Sequence, residues 1–249
     1  MQSKSTRPRF SRLGYDSNKS ESESVRDLGL HLDSELSMKH HVAKVAATCH
    51  YHLRCLRQIR RRVGQEVTTR LVLATVISRL DYCNAALAGL PQATVAPLQR
   101  VQNSAARVIF KLSSREYVTP CLLQLHWLPV RWCIQFKLCC IMLSVSYRTC
   151  PAYLTNIVEP AGAGRTRSGL RSTLSTNYAL LQLCTKFAER AFSYAGPSAW
   201  NGLSEDLRAV ADPAEFQKQL KTHFFTAAYN VCRHFALVDF KLFYVLVLL

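Results

Sequence analysis

The sequence predicts a mainly α-helical protein, with a helical bundle followed by a second helical lobe and a short strand remnant near the N-terminus. Apolar residues recur at three- and four-residue steps over long segments, which is the period of a helix with one buried face. Hydrophobic residues make up 49% of the 249 residues, enough for a core of one or two domains.

The N-terminal part is predicted to contain little regular structure. Residues 1–24 are polar and charged, so we expect a flexible leader. Residues 25–32, VRDLGLHL, alternate loosely between apolar and polar types and include Gly29. This pattern predicts a short strand or bend within residues 25–36.

Residues 37–117 are predicted to form a three-helix bundle. The predicted helices span about residues 37–63, 65–88 and 93–112. Gly89-Leu90-Pro91 should end the second helix, because glycine and proline commonly terminate helices. The second helix is apolar over much of its circumference, so we expect it in the core. Asp81, near its end, is expected to have an ion-pairing or helix-end role.

Residues 118–229 are predicted to form the second lobe. The helix over 134–147 is apolar almost all round, and too short to span a bilayer. A helix over 185–194 should stop before Gly196-Pro197, and another should begin after Asp212 as N-cap. His126 and Trp127 are expected to pack in the core, with base stacking as the alternative. Residues 230–249 form an interrupted apolar tail, so no integral membrane span is predicted.

Positive charge is concentrated in the bundle. The whole chain has 32 Lys+Arg and 16 Asp+Glu, a net charge of +16, and residues 37–117 alone carry +10. Such an excess favours a polyanionic partner, either nucleic acid or an anionic membrane surface.

Three groups of basic residues are candidate phosphate contacts. Two groups fall on single stripes of predicted helices, where guanidinium groups can face a row of phosphates, although a solvated basic face remains the alternative. The third group lies in a predicted loop at 162–175. The groups are Arg54, Arg57 and Arg61; Arg100, Arg107 and Lys111; and Arg165, Arg167 and Arg171.

No catalytic, metal or cofactor site is predicted. The chain has seven Asp residues with no Asp-Asp pair, and the common nucleotide, zinc-protease and hydrolase motifs are missing. Cys49, His50, His52 and Cys55 point in different directions around a helix, so buried thiols are favoured over a zinc site. The N-terminus does not resemble a signal peptide, so we expect reduced cysteines and a nuclear or cytoplasmic location.

Short blocks over about residues 25–229 resemble, in order and spacing, the region after the polymerase core of LINE-type, jockey-like non-long-terminal-repeat retrotransposon reverse transcriptases. The blocks are LGLHLDSELS (28–37), SRLDYCN (78–84), GLP (89–91), LQRVQNSAAR (98–107), LHWLPV (125–130), FK (136–137), PAYL (151–154), LRS (170–172), RAF (190–192), WN (200–201), Phe216 and LKTHFF (220–225). Cys133 stands where the family pattern has a basic residue, and the tail after Tyr229 is outside the pattern.

The resemblance implies that residues 25–36 are the end of the palm, that 37–117 are a thumb and that 118–229 are a C-terminal lobe. Such a thumb grips an RNA–DNA hybrid or duplex. The catalytic palm carboxylates of the RNA-directed DNA polymerase would lie upstream, so the chain is expected to bind nucleic acid without catalysis. The SRLDYCN block is expected to pack the bundle.

Two other interpretations stay open at this point. The chain could be a host scaffold or membrane-peripheral interaction protein derived from the element, or a non-functional decaying copy of it. The oligomeric state is not predicted.

Overall fold

A computed structural model of the chain describes residues 24–161 and 176–230. The described part is mainly helical, with one two-stranded antiparallel sheet near the N-terminus. This confirms the predicted fold class. The predicted leader before Ser24, the loop with Arg165, Arg167 and Arg171, and the tail over 231–249 lie outside the described residues.

The short strand or bend predicted over residues 25–32 is a complete β-hairpin. β1 (Val25–Asp27) pairs with β2 (Leu30–Leu32), so that Arg26 lies opposite His31. Gly29 at the tip has a φ of 84°, in the left-handed region that favours glycine. The hairpin precedes the first long helix.

α1 (Lys39–Val72) contains the predicted break between the first two helices. Gly64 has a φ of 77° and a ψ of 176°, which interrupts the helix at the predicted boundary. The chain then continues through a π-helical segment (Leu73–Ile77) into α2 (Ser78–Asp81).

The predicted end of the second helix was wrong by about seven residues. Helix α2 ends at Asp81, because Tyr82 is extended and Cys83 is left-handed with a φ of 52°. The Tyr82 side chain points toward the hairpin, and its hydroxyl donates a hydrogen bond to the carbonyl of Leu28 at 2.8 Å. A 3₁₀ helix (Asn84–Leu87) follows.

The third helix agrees with its prediction, but the following long helix begins earlier than predicted. α3 (Gln92–Phe110) is followed by α4 (Thr119–Gln124) and α5 (Val130–Ser146). α5 was expected from residue 134. Its start is held by α3, since Gln99 Oε1 accepts the Val130 amide at 2.9 Å. Gln102 Nε2 also donates to the Leu128 carbonyl at 2.8 Å.

The remaining helices complete the second lobe. They are α6 (Ala152–Asn156), a 3₁₀ helix (Ala188–Arg190), α7 (Phe192–Asn201), α8 (Glu205–Arg208) and α9 (Pro213–Tyr229). Asp212 caps α9 as predicted, its carboxylate accepting the Glu215 amide at 2.9 Å.

The predicted helix over 185–194 was wrong. α7 instead runs through Gly196-Pro197. A Cβ on Gly196 would lie 2.9 Å from Met142 Sδ and from the Phe192 ring, so this glycine allows α7 to lie close against α5. The Gly-Pro pair therefore marks a tight helix contact and does not end the helix.

Two hydrophobic cores share α5, which explains why this helix is apolar almost all round. Ile134 and Leu138 belong to the core of the bundle, whereas Cys139 and Met142 belong to the core of the second lobe. The second core also contains the predicted buried face of α9. That face consists of Phe216, Leu220 and Phe224.

Within the part of the chain that the structure describes, every helix is too short or too polar to cross a membrane.

Candidate nucleic-acid interface

The predicted stripe on α1 is exposed as expected. Arg54, Arg57 and Arg61 lie at the surface, while Leu53 and Leu56 of the neighbouring face are buried with 1% and 6% of their surface exposed. Burial of these leucines fixes the rotation of α1, and the arginine stripe is thereby held toward solvent.

Arg100 of α3 joins this stripe. Arg100 is exposed, and its charge reaches His50 of α1 together with those of Arg57 and Arg54. Burial, followed by these three guanidinium groups, lowers the pKa of His50. Cations from two helices therefore converge on one surface. We call His50, Arg54, Arg57, Arg61 and Arg100 the α1–α3 ridge.

Arg60 fixes the two helices of the ridge against each other. Its side chain is half-buried, and its Nη1 atom donates to the carbonyl of Val108 in α3 at 3.1 Å. A helix carbonyl near the C-terminal end of α3 carries partial negative charge, so the arginine is well placed there. This contact stabilises the spacing of the ridge.

The other two residues of the predicted α3 stripe lie differently. Arg107 is half-buried, and its Nη2 atom donates to the Glu116 carbonyl at 3.2 Å, which holds the loop after α3. Lys111 is exposed at the left-handed C-cap of α3. The ridge therefore includes Arg100 from this stripe, whereas Arg107 orders a loop.

A second cationic surface lies where the hairpin, α1 and α2 meet. These elements enclose an open cleft of about 900 Å³, which we call the hairpin cleft. Among the described residues, its lining contains no Asp or Glu. The basic side chains that line it are Arg26, His31, His41, Lys44 and Arg79.

Histidines cluster beside this cleft. The ring of His31 lies 5.7 Å from that of His40 and 6.2 Å from that of His41, between centroids. The His31 backbone amide donates to Nδ1 of His41 at 3.4 Å. Burial lowers the pKa of His31, and the charges of Lys44, His40 and Arg26 lower it further.

The ridge and the cleft lie on opposite sides of α1. Thr48 lines the cleft and Arg57 belongs to the ridge, nine residues later. Nine residues are two and a half turns of an α-helix, so the two side chains project in opposite directions. The described part of the chain thus has two separate cationic surfaces.

The SRLDYCN block contributes to both packing and the cleft. Leu80 is buried, and Asp81 accepts a hydrogen bond from Asn84 at 2.8 Å at the end of α2. These contacts agree with the predicted packing and helix-end roles. Arg79 and Tyr82, however, line the hairpin cleft.

Sequence reasoning missed the cleft because its charges are isolated along the chain. Arg26, Lys44 and Arg79 come from three different elements, and none belongs to a basic stripe. The loose alternation of residues 25–32 was the local signal, because it predicted a short strand or bend that includes Arg26 and His31. Their approach to α1 and α2 depends on the tertiary structure.

The residues weighed as zinc ligands do not converge. Cys49 is buried, its Sγ atom lies 3.9 Å from the Val76 carbonyl, and burial raises its thiol pKa to about 11. Cys55 is exposed. Over residues 24–161 and 176–230, no group of three or more His, Cys, Asp or Glu side chains is placed to hold a metal ion.

The alternative of base stacking at His126 and Trp127 is not favoured by their positions. Trp127 is buried with 3% of its surface exposed, and the His126 ring packs near Phe225, with 5.9 Å between ring centroids. The expected core packing of this pair is confirmed.

Over residues 24–161 and 176–230, the fold and its charged side chains define a basic, mainly α-helical protein with two cationic surfaces on opposite sides of one helix. Comparison of the chain with protein-family models, with curated proteins and with solved structures gave no match.

Proposed function

We propose that this chain is the thumb and C-terminal region of a LINE-type, jockey-like reverse transcriptase and binds an RNA–DNA hybrid or duplex without catalysing polymerisation. The sequence blocks over about residues 25–229 support the family assignment. The proposal for binding depends on the arrangement of the basic side chains.

The observation that carries the proposal is that Arg54 and Arg57 of α1 and Arg100 of α3 are all exposed and lie close enough for their charges to act on His50. A guanidinium group can form a charge-assisted bidentate pair with a phosphate. Several such groups on one rigid surface favour a ligand that presents phosphates in a row. Nucleic-acid backbones have this property.

The hairpin cleft adds to the same function. Arg26, Lys44 and Arg79 supply permanent positive charge, and the exposed ring of Tyr82, with 55% of the residue surface accessible, offers a stacking face. Because the cleft lies on the opposite side of α1 from the ridge, the two surfaces would contact different parts of a nucleic acid.

Binding should be measured by fluorescence anisotropy with a short RNA–DNA hybrid at several salt concentrations. We expect the affinity to fall steeply with salt, with a slope in log–log form of roughly 0.7–0.9 for each phosphate contact. Replacing Arg54, Arg57, Arg61, Arg100, Arg107 and Lys111 together by alanine should weaken binding and reduce this slope. Unchanged binding would show that the two predicted stripes do not contact nucleic acid.

The absence of catalysis has a separate test. The chain alone should incorporate no nucleotide on a primed RNA template, because we assign the polymerase carboxylates to a palm that precedes these sequence blocks. Template-dependent synthesis by the purified chain would contradict this assignment.

One observation favours a host scaffold or membrane-peripheral protein as a second candidate. Leu180, Leu181 and Phe187 are about half exposed, with 47%, 50% and 54% of their surface accessible. Exposed apolar side chains close together in sequence suit a protein or lipid contact. Flotation with anionic liposomes, together with no binding to nucleic acid, would favour this function over the first.

A further inference from the structure

Each cationic surface contains a histidine side chain that lies near arginine or lysine charges. We infer that nucleic-acid binding is coupled to proton uptake by His50 in the α1–α3 ridge and His31 in the hairpin cleft, so that affinity rises as pH falls. This inference rests on the proposed function and adds its regulation by pH.

Among the described residues, the charged groups that influence His50 are all arginines. It is exposed on α1, one turn before Arg54, and it feels Arg57 on its own helix and Arg100 on α3. Partial desolvation, followed by these charges, lowers its pKa, which favours the neutral imidazole in the free protein. A phosphate bound to the arginines would make the electrostatic potential at His50 more negative and so favour its protonated form.

Basic residues also surround His31 in the hairpin cleft. Arg26 lies opposite it on β1, and Lys44 and His40 approach from α1. On the α2 side, the cleft is lined by Arg79 and Tyr82.

The nearby carboxylate and the third histidine have other partners. Asp33 accepts hydrogen bonds from the Ser37 hydroxyl and from the Met38 amide. His41 is buried, and its Nδ1 atom accepts the amide of His31, so its protonation would break that bond. His31 is therefore the histidine of the cleft that can gain a proton when an anion enters.

The sign of the pH effect follows from linkage. Partial burial, followed by nearby cations, lowers the pKa of both histidines in the free protein. The negative charge of a bound phosphate would raise it. Between the free and bound pKa values, the complex holds more protons than the separate molecules. Each proton taken up strengthens binding by about tenfold for each pH unit lost. The arginines and lysines remain charged throughout and maintain binding at higher pH.

Isothermal titration calorimetry with a short RNA–DNA hybrid tests the inference directly. Titrations at one pH near 6.5, in two buffers with different ionisation enthalpies, give the number of protons taken up. We expect up to two protons per complex and an affinity at least about tenfold higher at pH 5.5 than at pH 7.5. The double variant His31→Gln with His50→Gln should lose both effects.

His52→Gln is the matched control, because His52 belongs neither to the ridge nor to the residues that line the cleft, and its ring packs against Tyr51 with 5.6 Å between centroids. Its proton uptake should equal that of the wild type. Circular dichroism of each variant checks that α1 and α3 are retained.

The outcomes separate this inference from the proposed function. Measurable binding with the same enthalpy in both buffers would overturn proton coupling and leave the proposed function in place. Uptake that persists in the double variant would overturn the assignment to His31 and His50. No binding at low salt at either pH would overturn the proposed function and the inference together.

Discussion

The hydroxyl of Tyr82 donates a hydrogen bond to the carbonyl of Leu28, a residue 54 positions earlier, across 2.8 Å. The same tyrosine ring lies 3.1 Å from the position that a Cβ on Gly29 would occupy. Tyr82 therefore anchors the hairpin tip to the end of α2 and joins two walls of the hairpin cleft.

Replacing Tyr82 by phenylalanine should loosen the hairpin without unfolding the bundle. One hydrogen bond is lost, so amide exchange over residues 25–32 should accelerate by roughly threefold to tenfold. Hydrogen exchange followed by mass spectrometry measures this effect. Tyr117→Phe is the control, because Tyr117 is 76% exposed in the loop after α3. Equal exchange in the two variants would show that the Tyr82 bond does not hold the hairpin.

Gly196→Ala should destabilise the second lobe. The new methyl group would lie 2.9 Å from both Met142 Sδ and the Phe192 ring, and overpacking of this kind costs about 1–3 kcal/mol. Urea unfolding followed by circular dichroism measures the change in the free energy of unfolding.

Gly202→Ala is the matched control for this substitution. Its nearest neighbours would be the Ala199 and Ser198 carbonyl oxygens at 3.5 and 3.6 Å, which is ordinary contact. We expect a change close to zero or a small gain, because alanine restricts the unfolded chain. A similar loss in both variants would argue against a tight contact between α5 and α7.

Lys221→Met should raise stability at neutral pH. Lys221 is buried in α9, and burial lowers its pKa from 10.5 to about 8, partly offset by the nearby Cys133. Below pH 8 the folded protein holds a buried ammonium group, which disfavours folding. Between about pH 8 and 10.5 the unfolded state binds more protons, so wild-type stability increases with pH.

The Lys221→Met variant lacks this pH dependence. The difference in the free energy of unfolding between the variant and the wild type should therefore shrink by about 2–4 kcal/mol as pH rises from 8 to 10.5. Urea unfolding at several pH values measures the difference. Lys218→Met on the same helix is the control, because Lys218 is 45% exposed and should give a small, constant difference. A constant difference for Lys221→Met as well would contradict the argument.

The ridge and the cleft should contribute separately to nucleic-acid binding. The ridge variant replaces Arg54, Arg57 and Arg100 by glutamine. The cleft variant replaces Arg26, Lys44 and Arg79 by glutamine. Each should reduce the salt slope by about 2–3, and their effects on log Kd should add, because the surfaces lie on opposite sides of α1.

A third variant with the same loss of charge is the control for this comparison. It replaces Arg70, Arg115 and Arg148, which are exposed and lie outside the ridge and the cleft. If all three variants weaken binding equally, only the net charge matters and the two surfaces have no specific role.

Much of the fold followed from local sequence patterns. The break at Gly64, the cap at Asp212 and the exposed stripe of Arg54, Arg57 and Arg61 were all predicted from residue types at short spacing. Helix periodicity, glycine conformation and capping act within one or two turns, and a single sequence contains that information.

The errors occurred where distant residues decide the local structure. Helix α2 ends early because Tyr82 binds the hairpin, and α5 begins early because Gln99 and Gln102 of α3 hold its first turn. α7 continues through Gly196-Pro197, and Gly196 lies so close to Met142 of α5 that a larger side chain would not fit without a shift. Contacts of this kind override local helix-ending signals.

The sequence by itself determined the helical class, the basic character of the bundle and the stripe on α1, because these depend on composition and on the helical period. Only the tertiary structure decided that Arg100 joins this stripe while Arg107 holds a loop, and that Arg26, His31, Lys44 and Arg79 share a cleft. The electrostatic potential at His31 and at His50 depends on distances between elements that are far apart in the chain. Those distances are set when the helices pack.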